Sequence, residues 1–133
     1  MGQRNVMRWD CEERGCFNKA HRLKMEIFHD CFPGRINFTD VDGIVEINGY
    51  GLMLEWKGSG VPIKVGSGQH IMYGRLTRGK KITVLVVNGD ASDMSVEGIG
   101  WYFDGKKTEP VDADFETLKK WIKDWISWTA NTP

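Results

Sequence analysis

At 133 residues, 41% apolar and 27% charged, the chain has the size and make-up of one globular domain with a real core. Eighteen basic side chains balance eighteen acidic ones, which excludes the bulk positive charge of a high-affinity nonspecific nucleic-acid binder. No apolar run approaches membrane length, no secretory core opens the chain, and three cysteines argue against a disulfide framework. A cytoplasmic protein without membrane contact is expected.

Residues 1–18 carry Trp9, Cys11 and Cys16 without clear periodicity. Cys11 and Cys16, with His21, His29 and Cys31 nearby, raise the question of zinc. No second Cys pair follows to complete a tetrahedral set, so buried or spare thiols are the better reading. Asn18 is placed to cap a helix that runs to about Cys31 and ends at Phe32-Pro33-Gly34. Its apolar arc holds Ala20, Leu23, Ile27, Phe28 and Cys31. Glu26 lies on the flank of that arc. Lys24 falls inside it, where its stem snorkels or its ammonium reaches acids elsewhere.

Arg35 to Thr39 alternates polar and apolar residues, which predicts a short strand leading into Asp40. Asn48-Gly49 then separates two alternating apolar runs, the strongest local signal for a hairpin with a type I′ turn. Such a turn sets Ile47 opposite Tyr50, Asp42 opposite Glu55 and Asp40 opposite Lys57. Opposed residues share a face, so these four polar groups cluster at one end of the hairpin. Val41, Val45, Ile47, Leu52, Leu54 and Trp56 are expected on the other face. Like charges gathered by a sheet are costly unless compensated, and Mg²⁺ or Mn²⁺ held by a few carboxylates would compensate them. A lysine beside such an ion could orient a water or neutralise a phosphate. A solvated salt-bridge ladder would need no metal at all.

Gly58 to Gly68 is glycine-rich and aperiodic, which predicts a mobile loop. Ser67 then caps a second helix over about Gly68 to Arg78, with Gln69 and Tyr73 stacked on one face. His70 is expected to be exposed, and Arg75 and Arg78 are placed to meet phosphate. Lys81 to Val87 reads as a buried parallel strand. Ser95 to Phe103 reads as an edge strand interrupted by Gly98 and Gly100. Asp112 or Asp114 caps a C-terminal helix carrying Trp121, Trp125 and Trp128, spaced as core residues or a subunit contact.

Asp42, two strands and Glu55-Trp56-Lys57 resemble the Asp…(Asp/Glu)-x-Lys signature of the PD-(D/E)XK nucleases. The interval of 13 is similar to that of archaeal Holliday-junction resolvases, and Gln69-x-x-x-Tyr73 resembles a motif of RecB-type nucleases. The resemblance covers about residues 19–88. It implies an α/β domain over 1–133 with a restriction-endonuclease-like αβββαβ core. That core is a mixed central sheet flanked by helices, followed over 89–133 by a strand and the Trp-rich helix. It further implies Mg²⁺- or Mn²⁺-dependent hydrolysis of DNA phosphodiesters. Asp42, Glu55 and the Trp56 carbonyl would hold the ion, with Glu26 and Asp40 as further ligands. Lys57 would activate water, Gln69 and Tyr73 would orient the site, and Lys24, Arg75 and Arg78 would contact DNA. A homodimer fits relatives that act on branched DNA. Two other readings stay open: a catalytically silent nuclease-fold binding module, and a small interaction protein using the Trp-rich helix.

Overall fold

The computed structural model describes residues 23–132, which fall into two compact units divided after Asp40. In the first unit Met25–Cys31 is a 3₁₀ helix with no buried residue, not a stretch of α-helix. Leu23 and Ile27, expected inside, are 68% and 64% exposed. A 3₁₀ turn repeats every three residues, so an arc spaced for 3.6 residues per turn does not line up along it. Residues 36–41 form no strand. There the Asn37 side chain accepts the Phe38 N–H at 2.8 Å, a local bond that competes with ladder pairing. The Phe38 ring packs edge-on against Phe28 and Phe32, with centroids 5.7 and 5.3 Å away. Cys31 is a free, exposed thiol, while Asn18, Cys11, Cys16 and His21 lie outside the described residues.

The second unit is an α/β structure with a mixed six-stranded sheet flanked by helices. Its elements are β1 (Gly43–Ile47), β2 (Tyr50–Lys57), α1 (Gly68–Leu76), β3 (Ile82–Asp90), β4 (Ser95–Phe103), β5 (Lys106–Lys107), β6 (Val111–Asp112) and α2 (Phe115–Asn131). The sheet order is β1-β2-β3-β4-β5, with β6 also on β4. Asn48 and Gly49 take φ of 55° and 86°, the two positive values a type I′ turn demands. Ile47 faces Tyr50 as that turn requires, and the pairing runs to Gly43 opposite Leu54. Glu46 braces the turn by accepting the Gly49 N–H at 2.7 Å. After α1 the chain returns as β3, parallel to β2, the arrangement a helical crossover produces.

Alternation along the strands divides the core between two faces. One face carries Leu52, Leu85, Val87 and Ile99 under Leu118 and Trp125 of α2. The other carries Met53, Val84 and Tyr102 under Tyr73 of α1 and Ile63 of the preceding loop. The C-terminal tryptophans belong to the first face: Trp125 is buried, and Trp121 and Trp128 pack against the same cluster. Asp114 caps α2 by accepting the Thr117 N–H at 2.8 Å; Asp112 lies in β6 instead.

Three expectations are corrected here. β4 is not an edge strand, because β5 and β6 both pair with its outer side. The exposed edge is β1, where Val45, expected to be covered, is 45% exposed, as is Val41 just before it. The loop after Lys57 is pinned rather than free. Asn88 Nδ2 donates to the Gly58 and Val61 carbonyls at 3.0 and 2.7 Å, Ser59 Oγ donates to Glu97 at 2.6 Å, and Ile63 is buried. Among the described residues no helix is long and apolar enough to cross a membrane.

Candidate active site around Glu55

Glu55 lies near the C-terminal end of β2, on the face that α1 covers, and it is 9% exposed. A carboxylate taken so far out of water needs strong partners, or its charge is lost to protonation. Three side chains supply them. Tyr73 Oη donates to Oε2 at 2.9 Å, and Gln69 Nε2 donates to Oε1 at 3.1 Å. Lys57 Nζ stands 3.2 Å from the same Oε1. The Gln69 amide also touches the Tyr73 hydroxyl at 3.3 Å, which closes the network on itself.

Local chemistry positions each member. Glu55 and Lys57 are two apart on β2 and therefore project to the same face. Ser67 accepts the His70 N–H at 3.2 Å and starts α1, so Gln69 and Tyr73 stand one turn apart on the side facing the sheet. At the other end of the helix Thr77, fully buried, donates to the Tyr73 carbonyl at 2.8 Å and accepts the Gly105 N–H at 3.0 Å. That contact anchors α1 to the β4–β5 turn.

Burial, first of all, pushes the Tyr73 phenol well above its ordinary range. The Glu55 carboxylate adds to the shift through its hydrogen bond and its charge, and the Asp42 charge contributes a smaller push. Gln69 pulls weakly the other way. Tyr73 is therefore a neutral, permanent donor at pH 7. Burial also raises the Tyr102 phenol, whose ring centroid is 5.4 Å from that of Tyr73.

Asp42 is placed by a different device. The hydrogen-bonded pairs that follow a two-residue hairpin turn are 47/50, 45/52 and 43/54, and partners in such pairs exchange both backbone bonds. Trp56 is next in that series and turns its N–H and C=O toward the side of β1. The strand has ended there, and Asp42 Oδ2 accepts the Trp56 N–H at 2.7 Å in its place. The ladder ends at Gly43 opposite Leu54, so neither expected pair, Asp42 with Glu55 or Asp40 with Lys57, forms. The bond to the Trp56 backbone holds Asp42 beside the residue that follows Glu55 in β2.

Of the residues expected to act, Glu55, Lys57, Gln69 and Tyr73 meet through their side chains, and Asp42 is bonded to the backbone of Trp56, the residue after Glu55. Lys24, Glu26 and Asp40 belong to the first unit: Lys24 precedes its 3₁₀ helix, Glu26 lies in it and Asp40 ends the unit. Arg75 and Arg78 are exposed at the C-terminal end of α1, about 9 Å or more along the axis from Gln69. They do not converge on Glu55. His70 is half-buried instead of exposed, with Nδ1 2.8 Å from the Tyr102 hydroxyl. Sequence reasoning gave no part to Asn88, Tyr102 or Lys107. Asn88 is the register partner of Lys57 on β3, and Lys107 that of Tyr102 on β4. A polar Asn at the end of an otherwise apolar strand is the one local sign that could have drawn attention.

The donor set suits a hard divalent cation. Asp42, Glu55 and the Trp56 carbonyl offer oxygens only, and Mg²⁺ is held by one or two carboxylates with water and substrate phosphate completing its shell. Among the described residues no three His, Cys, Asp or Glu side chains form a cage of their own. Comparison with protein-family models, curated proteins and solved structures finds no significant match to this chain.

Proposed function

We propose that this chain is a metal-dependent nuclease of the PD-(D/E)XK type, with a restriction-endonuclease-like core, hydrolysing DNA phosphodiester bonds. The observation that carries the reading is the convergence of Lys57, Gln69 and Tyr73 on one buried glutamate, Glu55, at the end of β2. Motif residues separated by up to 18 positions meet there through side-chain bonds. In this reading Asp42, Glu55 and the Trp56 carbonyl hold Mg²⁺. The bound ion would supply charge neutralisation at the phosphate and a more acidic water. Lys57 orients the attacking water and offsets the negative charge that develops on the phosphoryl oxygens. Gln69 and Tyr73 fix the direction of the Glu55 carboxylate through their hydrogen bonds.

One observation favours a second reading, a nuclease-fold module that binds without cutting. The Glu55 charge already has three donors, so no cation is needed to make its burial tolerable. Two measurements separate the readings. Incubation with linear, single-stranded and branched DNA should give cleavage with Mg²⁺ and none with chelator. Calorimetry with Mn²⁺ should show binding that Glu55→Gln removes. DNA binding without cleavage and without Mn²⁺ affinity would replace the nuclease by the binding module.

A further inference from the structure

Chain neutrality leaves open which surface could meet DNA, and Arg75 and Arg78 stand at the wrong end of α1. The loop between β2 and α1 stands at the right end. It leaves β2 directly after Lys57 and enters α1 one residue before Gln69. Its root is held by the two Asn88 bonds and by Ile63, which is 6% exposed against the Tyr73 and Tyr102 cluster. Lys107 Nζ adds a bond to the Ile63 carbonyl at 3.3 Å. A turn from Lys64 to Ser67, closed by Ser67 N–H on Lys64 C=O at 3.1 Å, completes the loop, and Gly66 there takes φ of 85°. The fastened root carries an exposed tip, Lys64-Val65, in which Val65 is 80% exposed.

The charges line up with that tip. Lys107 is opposite Tyr102, and Lys57 is beside Asn88, so both lysines project to the sheet face that carries Glu55. Lys64, Lys107 and Lys57 thus share one side of the sheet with the candidate site. Glu97 accepts the Ser59 hydroxyl at the loop root and keeps its negative charge there, whereas the tip carries Lys64. An exposed lysine on the loop, Lys64, and another on the neighbouring β5, Lys107, match the charge of a nucleic-acid backbone. A rigidly presented valine is an apolar contact of the kind made in grooves or at base steps.

We infer that residues 58–66 are the DNA-contacting element of this site, with Lys64 and Lys107 meeting backbone phosphates of a duplex and Val65 packing against it. The inference rests on the reading of the Glu55 cluster as a DNA site, whether or not it cuts. Each phosphate contact on duplex DNA releases counterions and adds about 0.9 to the slope of log K against log salt. Lys64→Gln and Lys107→Gln should each lower that slope by about 0.9, and the double variant by about 1.8. Glutamine keeps an N–H donor but is one bond shorter than lysine, so hydrogen exchange across 58–66 in Lys107→Gln is compared with that of the unaltered chain to separate lost charge from lost anchoring. Val65→Ser should weaken binding about three- to tenfold at every salt concentration and leave the slope unchanged.

Fluorescence anisotropy of the full chain with a short labelled duplex, in chelator so that metal-dependent cleavage is silent, reads all of these. Arg75→Gln and Arg78→Gln serve as charge-matched controls and should not change the slope. Slopes unaltered by both lysine variants, or lowered as much by either arginine variant, would overturn the assignment. So would an absence of duplex binding by the unaltered chain. Lysine-dependent binding without any Mg²⁺-dependent cleavage would remove the nuclease reading and leave this surface standing. Cleavage with a lysine-insensitive slope would do the reverse.

Discussion

The Tyr73 hydroxyl donates to Glu55 Oε2 at 2.9 Å from a position that is 2% exposed, so the phenol has no water to turn to and the largely buried carboxylate has little. Removing the donor leaves a buried carboxylate short of a partner, which costs about 1–3 kcal/mol. Tyr73→Phe should therefore lower the free energy of unfolding by that amount in urea titration. The pH dependence gives the sign independently. The folded-state phenol titrates above its ordinary value of 10.0, so its contribution is complete below about pH 10 and is lost as pH rises further. The unaltered chain should lose stability above pH 10 more steeply than Tyr73→Phe, by up to about 1.4 kcal/mol per pH unit. Parallel curves would show that the folded-state phenol is not held above its ordinary range.

Asp42 does two things that substitution can separate. Its Oδ2 caps the Trp56 N–H, and its charge is offered to a cation. Asp42→Asn keeps an acceptor for the backbone, so stability should stay within about 1 kcal/mol. Mn²⁺ affinity and Mg²⁺-dependent cleavage should both be lost. Asp42→Ala and Lys57→Ala should likewise abolish cleavage while circular dichroism still reports a folded chain. Undiminished cleavage by both alanine variants would end the proposed roles of these residues.

Asn88 ties the Gly58 and Val61 carbonyls to β3. Both carbonyls can be hydrated once released, so Asn88→Ala should cost only about 1 kcal/mol globally. The local effect should be larger: hydrogen exchange across 58–66 should speed up, and trypsin should cut after Lys64 sooner. Unchanged exchange in that loop would mean that Ile63 burial and the Lys107 bond hold it unaided.

Gly89 sits where the pairing of β3 with β4 shifts register. A Cβ there would overlap the Ser95 carbonyl, a backbone atom that cannot rotate away. Gly89→Ala should therefore be destabilising by on the order of 3 kcal/mol, read as a fall in thermal midpoint. The Trp56 indole, which donates to the Gly89 carbonyl at 3.2 Å, would report the same disturbance in its fluorescence. A midpoint equal to that of the unaltered chain would show that the bulge relaxes freely.

The parts of the site that sequence reasoning located are those carried by short-range rules. Asn48-Gly49 dictated a turn with two positive φ values, and from it came the register that puts Glu55 and Lys57 on one face. Ser67 dictated a helix start, and from it came the stacking of Gln69 over Tyr73. The same register, continued to Asp42 and Asp40, predicts pairs that do not form, because the ladder ends at Gly43. Periodicity failed again at Met25–Cys31, where an apolar arc suggested a packed α-helix and the segment is 3₁₀ with nothing buried.

What remained closed to sequence depends on contacts between distant elements. Asn88 reads as the end of a strand, and only its place beside Lys57 turns it into the anchor of the 58–66 loop. His70 reads as an exposed residue at a helix start, and only the approach of β4 gives it the Tyr102 hydroxyl. β4 reads as an edge because its glycines break the pattern, yet β5 and β6 lie along it: a Cβ at Gly100 would stand 3.4 Å from Thr108 Oγ1. Turn dihedrals, caps and alternation act within a few residues and are written in local chemistry. Burial, loop anchoring and the meeting of Tyr73 with Glu55 are set by how the sheet stacks its strands against α1, which no short stretch of the chain encodes by itself.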